Sequence, residues 1–155
     1  MTEEHSRLMK TALKEAEKAY DMGEVPVGCI IVFEKRIIAK AHNQVETLCD
    51  PTAHAEMMAL TSAFASLESK VLKGCSMYVT LEPCSMCAGS IVLSKLDKLY
   101  FGAYDNKAGA CGSVLNITKS TSLNHSVNVY GGILDIECSS LLKSFFNSRR
   151  NYTNH

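Results

Sequence analysis

The sequence predicts a single α/β domain, and three observations carry that expectation. Runs rich in β-branched residues alternate with helix-patterned segments through residues 1–155. One strand, helix, strand succession between Met77 and Ala103 requires a right-handed crossover that lays its two strands parallel. Finally, 46% hydrophobic residues, 21% charged residues and three prolines are the proportions of a packed globular chain, not of a disordered or collagenous one. A chain of this length buries roughly two-thirds of its unfolded surface, so one core is expected.

Residues 2–20 space Leu8, Ala12, Leu13, Ala16 and Ala19 three and four apart among Lys and Glu, an amphipathic helix that Gly23 helps to close. Val27 to Phe33 and Ile37 to Ala41 flank the charged turn Glu34-Lys35-Arg36, which predicts an antiparallel hairpin. Asp50-Pro51 reads as an N-cap followed by proline at the first helical position, so a second helix is expected to begin just before His54 and run to Ala65. Met77 to Leu81 reads as a buried strand. Pro83 then lets a helix start at or near Cys84 and continue through Ile91 to Leu96, ahead of a strand from Leu99 to Ala103. Residues 104–125 show no sustained periodicity, and connections that long are usually functional or mobile. Val127 to Tyr130 is the last strand and Gly131-Gly132 a turn. Leu134, Cys138, Leu141, Leu142, Phe145 and Phe146 then give a closing helix its apolar face.

Charge and compartment narrow the partners. Sixteen Lys plus Arg balance sixteen Asp plus Glu, so any nucleic-acid site must be local. The longest apolar run, Val25 to Phe33, falls far short of the ~20 residues that cross a bilayer, so no membrane partner is expected. The opening MTEEHSRLMK lacks the apolar stretch of a secretory signal, which predicts a cytoplasmic location and reduced cysteines. With seven of them, spacing must separate metal ligands from buried thiols.

Two segments carry chemistry, His54-Ala55-Glu56 and Pro83-Cys84-Ser85-Met86-Cys87. A C-x-x-C step at a helix start puts both sulfurs on one side, where unpaired backbone N–H groups favour thiolates. His54 lies at the start of its own expected helix, so two helix N-termini facing one spot would deliver one His and two Cys to a single zinc ion. A structural zinc site has four protein ligands, whereas a catalytic one has three and keeps a position for water. Zinc with two thiolates and a neutral imidazole is formally neutral, a modest Lewis acid that needs a helper base, and Glu56 is placed to move the proton. A fourth ligand from His42, Cys49, Cys75 or His125 would instead close the site. Otherwise Cys75, like Cys29, Cys111 and Cys138, reads as a small, partly buried hydrophobe.

The pairing of H-x-E with P-C-x-x-C is the signature of the zinc nucleobase deaminases. Beyond it, EVPVG, PTAHAEMMAL, MYVTLEPCSMCAGSIV, YFGAYDNKAGACGS, LNH and FFNSRR resemble the bacterial tRNA-specific adenosine deaminases over nearly the whole chain. The resemblance implies a cytidine deaminase-like fold, a three-layer α/β/α arrangement with a central mixed five-stranded sheet flanked by helices. It implies a homodimer that converts adenosine to inosine at the wobble position of a tRNA anticodon, using one Zn²⁺ per chain. By position, His54, Cys84 and Cys87 match the zinc ligands and Glu56 the proton shuttle. Asn43 matches the residue that hydrogen-bonds the flipped base, and Asn124 and His125 match groups near the target nucleotide. Asp105, Lys107, Phe145, Phe146, Arg149 and Arg150 match the surface that grips the anticodon stem-loop, and Val25 and Pro26 help wall the pocket. Ala108, Cys111 and Asn147 depart from the family's commoner residues.

Local charge adds support. From Cys138 onward the chain holds Lys143, Arg149, Arg150 and no acid, with two phenylalanines among them, a combination suited to unstacked RNA bases. At least one of those phenylalanines is expected in the core. Two other readings remain open at this point: a deaminase of free guanine or of a cytosine-type nucleoside, and a noncatalytic zinc module that binds RNA.

Overall fold

Thr2 accepts a hydrogen bond from the His5 N–H and so caps α1, Glu3–Asp21, whose Leu8, Met9, Ala12, Ala16 and Ala19 turn inward. The computed structural model describes residues 2–120 and 122–153. Past Gly23 the chain enters β1, Gly28–Phe33, and returns in β2, Arg36–His42. Glu34 and Lys35 form the hairpin turn at φ 49° and 64°, the left-handed conformation that tight two-residue hairpins require. A Cβ at Gly28 would collide with the α1 backbone at Ala12 and Ala16, so glycine alone lets helix and strand cross this closely.

A single helical turn, α2 (Val45–Leu48), follows and has no counterpart in the apolar periodicity. The next helix, α3, spans Ala55–Leu67 and begins later than Asp50-Pro51 suggests. The Asp50 carboxylate binds the Thr52 N–H and hydroxyl at 2.8 and 2.7 Å, closing a local turn, and His54 takes the N-cap position. Strand β3 (Cys75–Leu81) leads into α4 (Ser85–Leu93), which stops short of Leu96 because Lys95 turns left-handed at φ 58°. Then come β4 (Lys98–Ala103), β5 (Asn128–Tyr130) and α5 (Asp135–Thr153).

The strands form one mixed sheet in the order β2-β1-β3-β4-β5. β1 is antiparallel to β2 and β3, while β3, β4 and β5 run parallel, as the crossover through α4 demands. Alternation along the strands makes two cores. Ile31, Met77, Val79, Leu99 and Phe101 pack with Ala59 and Ile91 on the face covered by α3 and α4. Ile30, Tyr78 and Tyr100 pack with Leu8, Met9 and Cys138 on the face covered by α1 and α5. The result is three layers, with the carboxyl ends of β3 and β4 meeting the starts of α3 and α4, the usual ligand position in such sheets. No helix among the described residues is long and apolar enough to cross a membrane.

Candidate active site

His54 and Cys84 occupy the N-cap positions of α3 and α4, and neither side chain serves as a helix cap. Both turn instead to one point, joined by Cys87 from the first turn of α4. The ligand atoms of the three residues lie within 4.8 Å of one another. Each sulfur is 3.6 Å from His54 Nδ1. A tetrahedral zinc with bonds of about 2.3 Å to sulfur and about 2.0 to 2.1 Å to nitrogen places such atoms about 3.6 Å apart, so the donor set fits the ion. The hydrogen bond between the two thiols draws Cys84 down to about 4 and pushes Cys87 up in return.

No fourth His, Cys, Asp or Glu joins the cluster among the described residues. The other candidates are engaged elsewhere: His42 on Asn43 O, Cys49 on Glu46 O and His125 on Leu96 O, while Cys75 is buried at the far end of β3. Among the described residues the cluster therefore offers three candidate ligands.

Glu56, 4% exposed, lies one residue into α3 beside the ligands. Burial pushes its carboxyl up to about 7, against the pull of its own backbone N–H and of His54. A carboxyl in that range both takes up and gives back a proton near neutrality.

A cavity of about 520 Å³ opens onto this floor, within the usual size of small-molecule sites. Val25, Asn43, Asp105, Phe145, Phe146 and Arg149 line it together with His54, Glu56 and Cys84. Asn43 is fixed by its Nδ2 donating to Val25 O at 3.2 Å and its Oδ1 accepting from Val45 N at 3.3 Å. The two phenylalanines divide their roles. Phe145 is buried edge-on against Tyr20, whereas Phe146 stays 44% exposed. Arg149 lies over the Phe145 ring, 4.9 Å from its centroid, and donates to Gly23 O, so it ties α5 to the turn after α1.

The remaining expected residues stand outside the cavity lining. Pro26 is buried beneath the wall, and Lys107 and Arg150 are exposed beyond it. Asn124 and His125, expected near the target nucleotide, are not brought to the cavity. His125 Nε2 binds Leu96 O at 2.8 Å, beyond the C-terminal end of α4 and thus away from the ligands at its start. That bond fastens the end of the long connection to the opposite side of the domain.

Residues 2–103 match the model of the cytidine and deoxycytidylate deaminase zinc-binding region. The tRNA-specific adenosine deaminase of Aquifex aeolicus is 52% identical over 143 residues, covering 92% of this chain and 94% of that one. Its counterpart in Bacillus subtilis is 46% identical over 142 residues, covering 92% and 88%. This chain belongs to the tRNA-specific adenosine deaminase family. Among solved structures, one from work on A-to-I editing by tRNA wobble-position deaminases superposes with a TM-score of 0.84 at 38% identity, covering 87% of this chain and 98% of that one.

In this family member two buried acids also line the cavity, and periodicity and metal-ligand spacing pass over both. Glu24, fully buried, accepts from Glu46 N, Thr47 N and Thr47 Oγ1 at 3.0, 2.6 and 2.6 Å and so fixes the start of α2. Burial alone would raise its carboxyl, but the bonds from Thr47 and Glu46 hold it below the ordinary carboxylate value. Glu82, 1% exposed, receives donors from the loop after β4. The one sequence signal was an acid set against apolar neighbours, as in Glu24-Val25 and Leu81-Glu82-Pro83.

Proposed function

We propose that this chain hydrolyses adenosine to inosine at the wobble position of a tRNA anticodon and releases ammonia. The observation that carries the reading is the three-ligand cluster, with Glu56 beside it, at the floor of a cavity walled by α5 and the loop after β4. His54, Cys84 and Cys87 would hold one zinc ion, which would supply a water activated for attack at C6 of adenine. Glu56 would carry one proton from the attacking water to the ring nitrogen and then the proton of the new C6 hydroxyl to the departing amine, so that ammonia leaves as the C6 carbonyl forms. Asn43 keeps a second lone pair on Oδ1 and a second hydrogen on Nδ2, and with these it orients the extruded base. Val25 walls the pocket, with Pro26 buried behind it.

Recognition of the anticodon stem-loop falls to the rim. Phe146 offers an exposed ring for a flanking base, and Lys107, Arg149 and Arg150 supply cationic groups to phosphates. Asp105 works through the loop backbone, its Oδ1 accepting from Lys107 N and Ala108 N at 3.0 and 3.1 Å. The enzyme acts as a homodimer in the cytoplasm. The groove between α3 and α4 fits a second copy, because Leu93 stands 81% exposed beside Met57, Phe64 and Val71.

The test is incubation of the zinc-loaded protein with an anticodon stem-loop and, separately, with free adenosine, guanine and cytidine. Inosine is expected in the stem-loop and scarcely any product from the free compounds. Equal turnover of a free base or nucleoside would replace this reading with a small-molecule deaminase, and stem-loop binding with no product at all would leave a noncatalytic zinc module.

A further inference from the structure

Glu82 is a buried carboxylate with no ion-pair partner among the described residues. Its two oxygens are instead occupied by one loop. Oε1 accepts from Asp105 N at 3.1 Å and from the Ser113 hydroxyl, and Oε2 accepts from Cys111 N and Ser113 N at 3.1 and 3.0 Å. Gly109 passes so close that a Cβ there would come within 2.5 Å of the Glu82 carboxyl, so the loop backbone wraps the side chain. The main chain adds two clamps: Glu82 N donates to Ala103 O and Ala110 N donates to Pro83 O, both at 2.9 Å.

The same segment, Glu82-Pro83-Cys84, thus holds the loop and delivers a metal ligand. Asp105 and Ala108, at the front of that loop, line the cavity. We infer that Glu82 is a positioning residue that fixes the substrate-facing loop 105–113 in register with the metal ligands. The inference deepens the RNA-deaminase reading and rests on it for what the loop contacts. The carboxylate's four acceptor sites replace the cross-strand partners that an irregular backbone lacks, so the loop meets its substrate already ordered. A loop ordered only on contact would bind more weakly, with the chemistry at the floor little changed.

Glu82→Gln tests this without altering shape. Either orientation of the amide sets a donor against a backbone N–H, at Asp105 in one case and at Cys111 and Ser113 in the other. The expected result is unchanged zinc content, faster hydrogen exchange at the Asp105, Cys111 and Ser113 amides, and a stem-loop Kd and KM raised about tenfold, with kcat lowered less than about threefold. Ser113→Ala removes only the hydroxyl bond and should raise Kd about threefold, and it decides the matter if Glu82→Gln does not fold. Loss of zinc from Glu82→Gln, or unchanged exchange at those amides, would overturn the inference, as would a loosened loop with unchanged Kd. If the wild type binds but does not deaminate the stem-loop, the functional reading fails, while exchange and Kd still decide whether Glu82 positions the loop.

Discussion

At the floor of the cavity His54 and Cys84 are half-buried and Cys87 and Glu56 buried, all four held by the first turns of two helices. At the rim, by contrast, Asp105, itself half-buried, comes from a loop, and Phe146 and Arg149, both exposed, come from a distant helix. Floor residues are two or three positions apart in their segments, so local backbone geometry sets their mutual placement. Rim residues depend on packing between elements far apart in sequence. Under the proposed function the difference teaches that reaction chemistry should be concentrated and intolerant, whereas substrate grip should be spread over several groups and degrade gradually.

The largest expected effect is therefore on the floor. Cys87→Ala removes one of the two sulfur ligands and leaves a gap in the α4 packing, and it should abolish stoichiometric zinc together with turnover. Metal analysis of the purified variant checks this, and a full zinc complement would break the floor's claim to concentrated function. A smaller effect is expected at the rim. Replacing Arg149 and Arg150 together with Ala should weaken stem-loop binding about tenfold and flatten its salt dependence by roughly one to two units of slope, with zinc retained. Arg149 also holds α5 through Phe145 and Gly23 O, so the single Arg149→Ala variant should carry most of any accompanying loss of thermal stability. Binding titrations across salt concentrations sharpen the comparison by separating the phosphate contact from the helix latch.

The same division governs what could be read from the sequence. Alternation and helical spacing located all five strands and the long helices, since those patterns report burial on one face directly. H-x-E and P-C-x-x-C located the metal cluster because a ligand set at a helix start is local information. Asp50-Pro51 misled the placement of α3, because the Asp50 side chain satisfied Thr52 nearby and left the N-cap to His54. Likewise, spacing could not show that His125 bonds to Leu96, or that Phe145 turns inward while Phe146 does not, since both depend on how α4, α5 and the long connection pack. Glu82 escaped for the same reason: its partners lie 23 to 31 residues away.

Glu56 gives the most direct test of the central claim, that a three-ligand zinc floor with a separate proton carrier performs the chemistry while the rim holds the RNA. Zinc content, stem-loop affinity and inosine formation should be measured together on Glu56→Ala. The account predicts one zinc per chain, near wild-type affinity and a loss of turnover of at least about a hundredfold. Inosine formation at a rate close to wild type, with zinc and RNA bound, would contradict it.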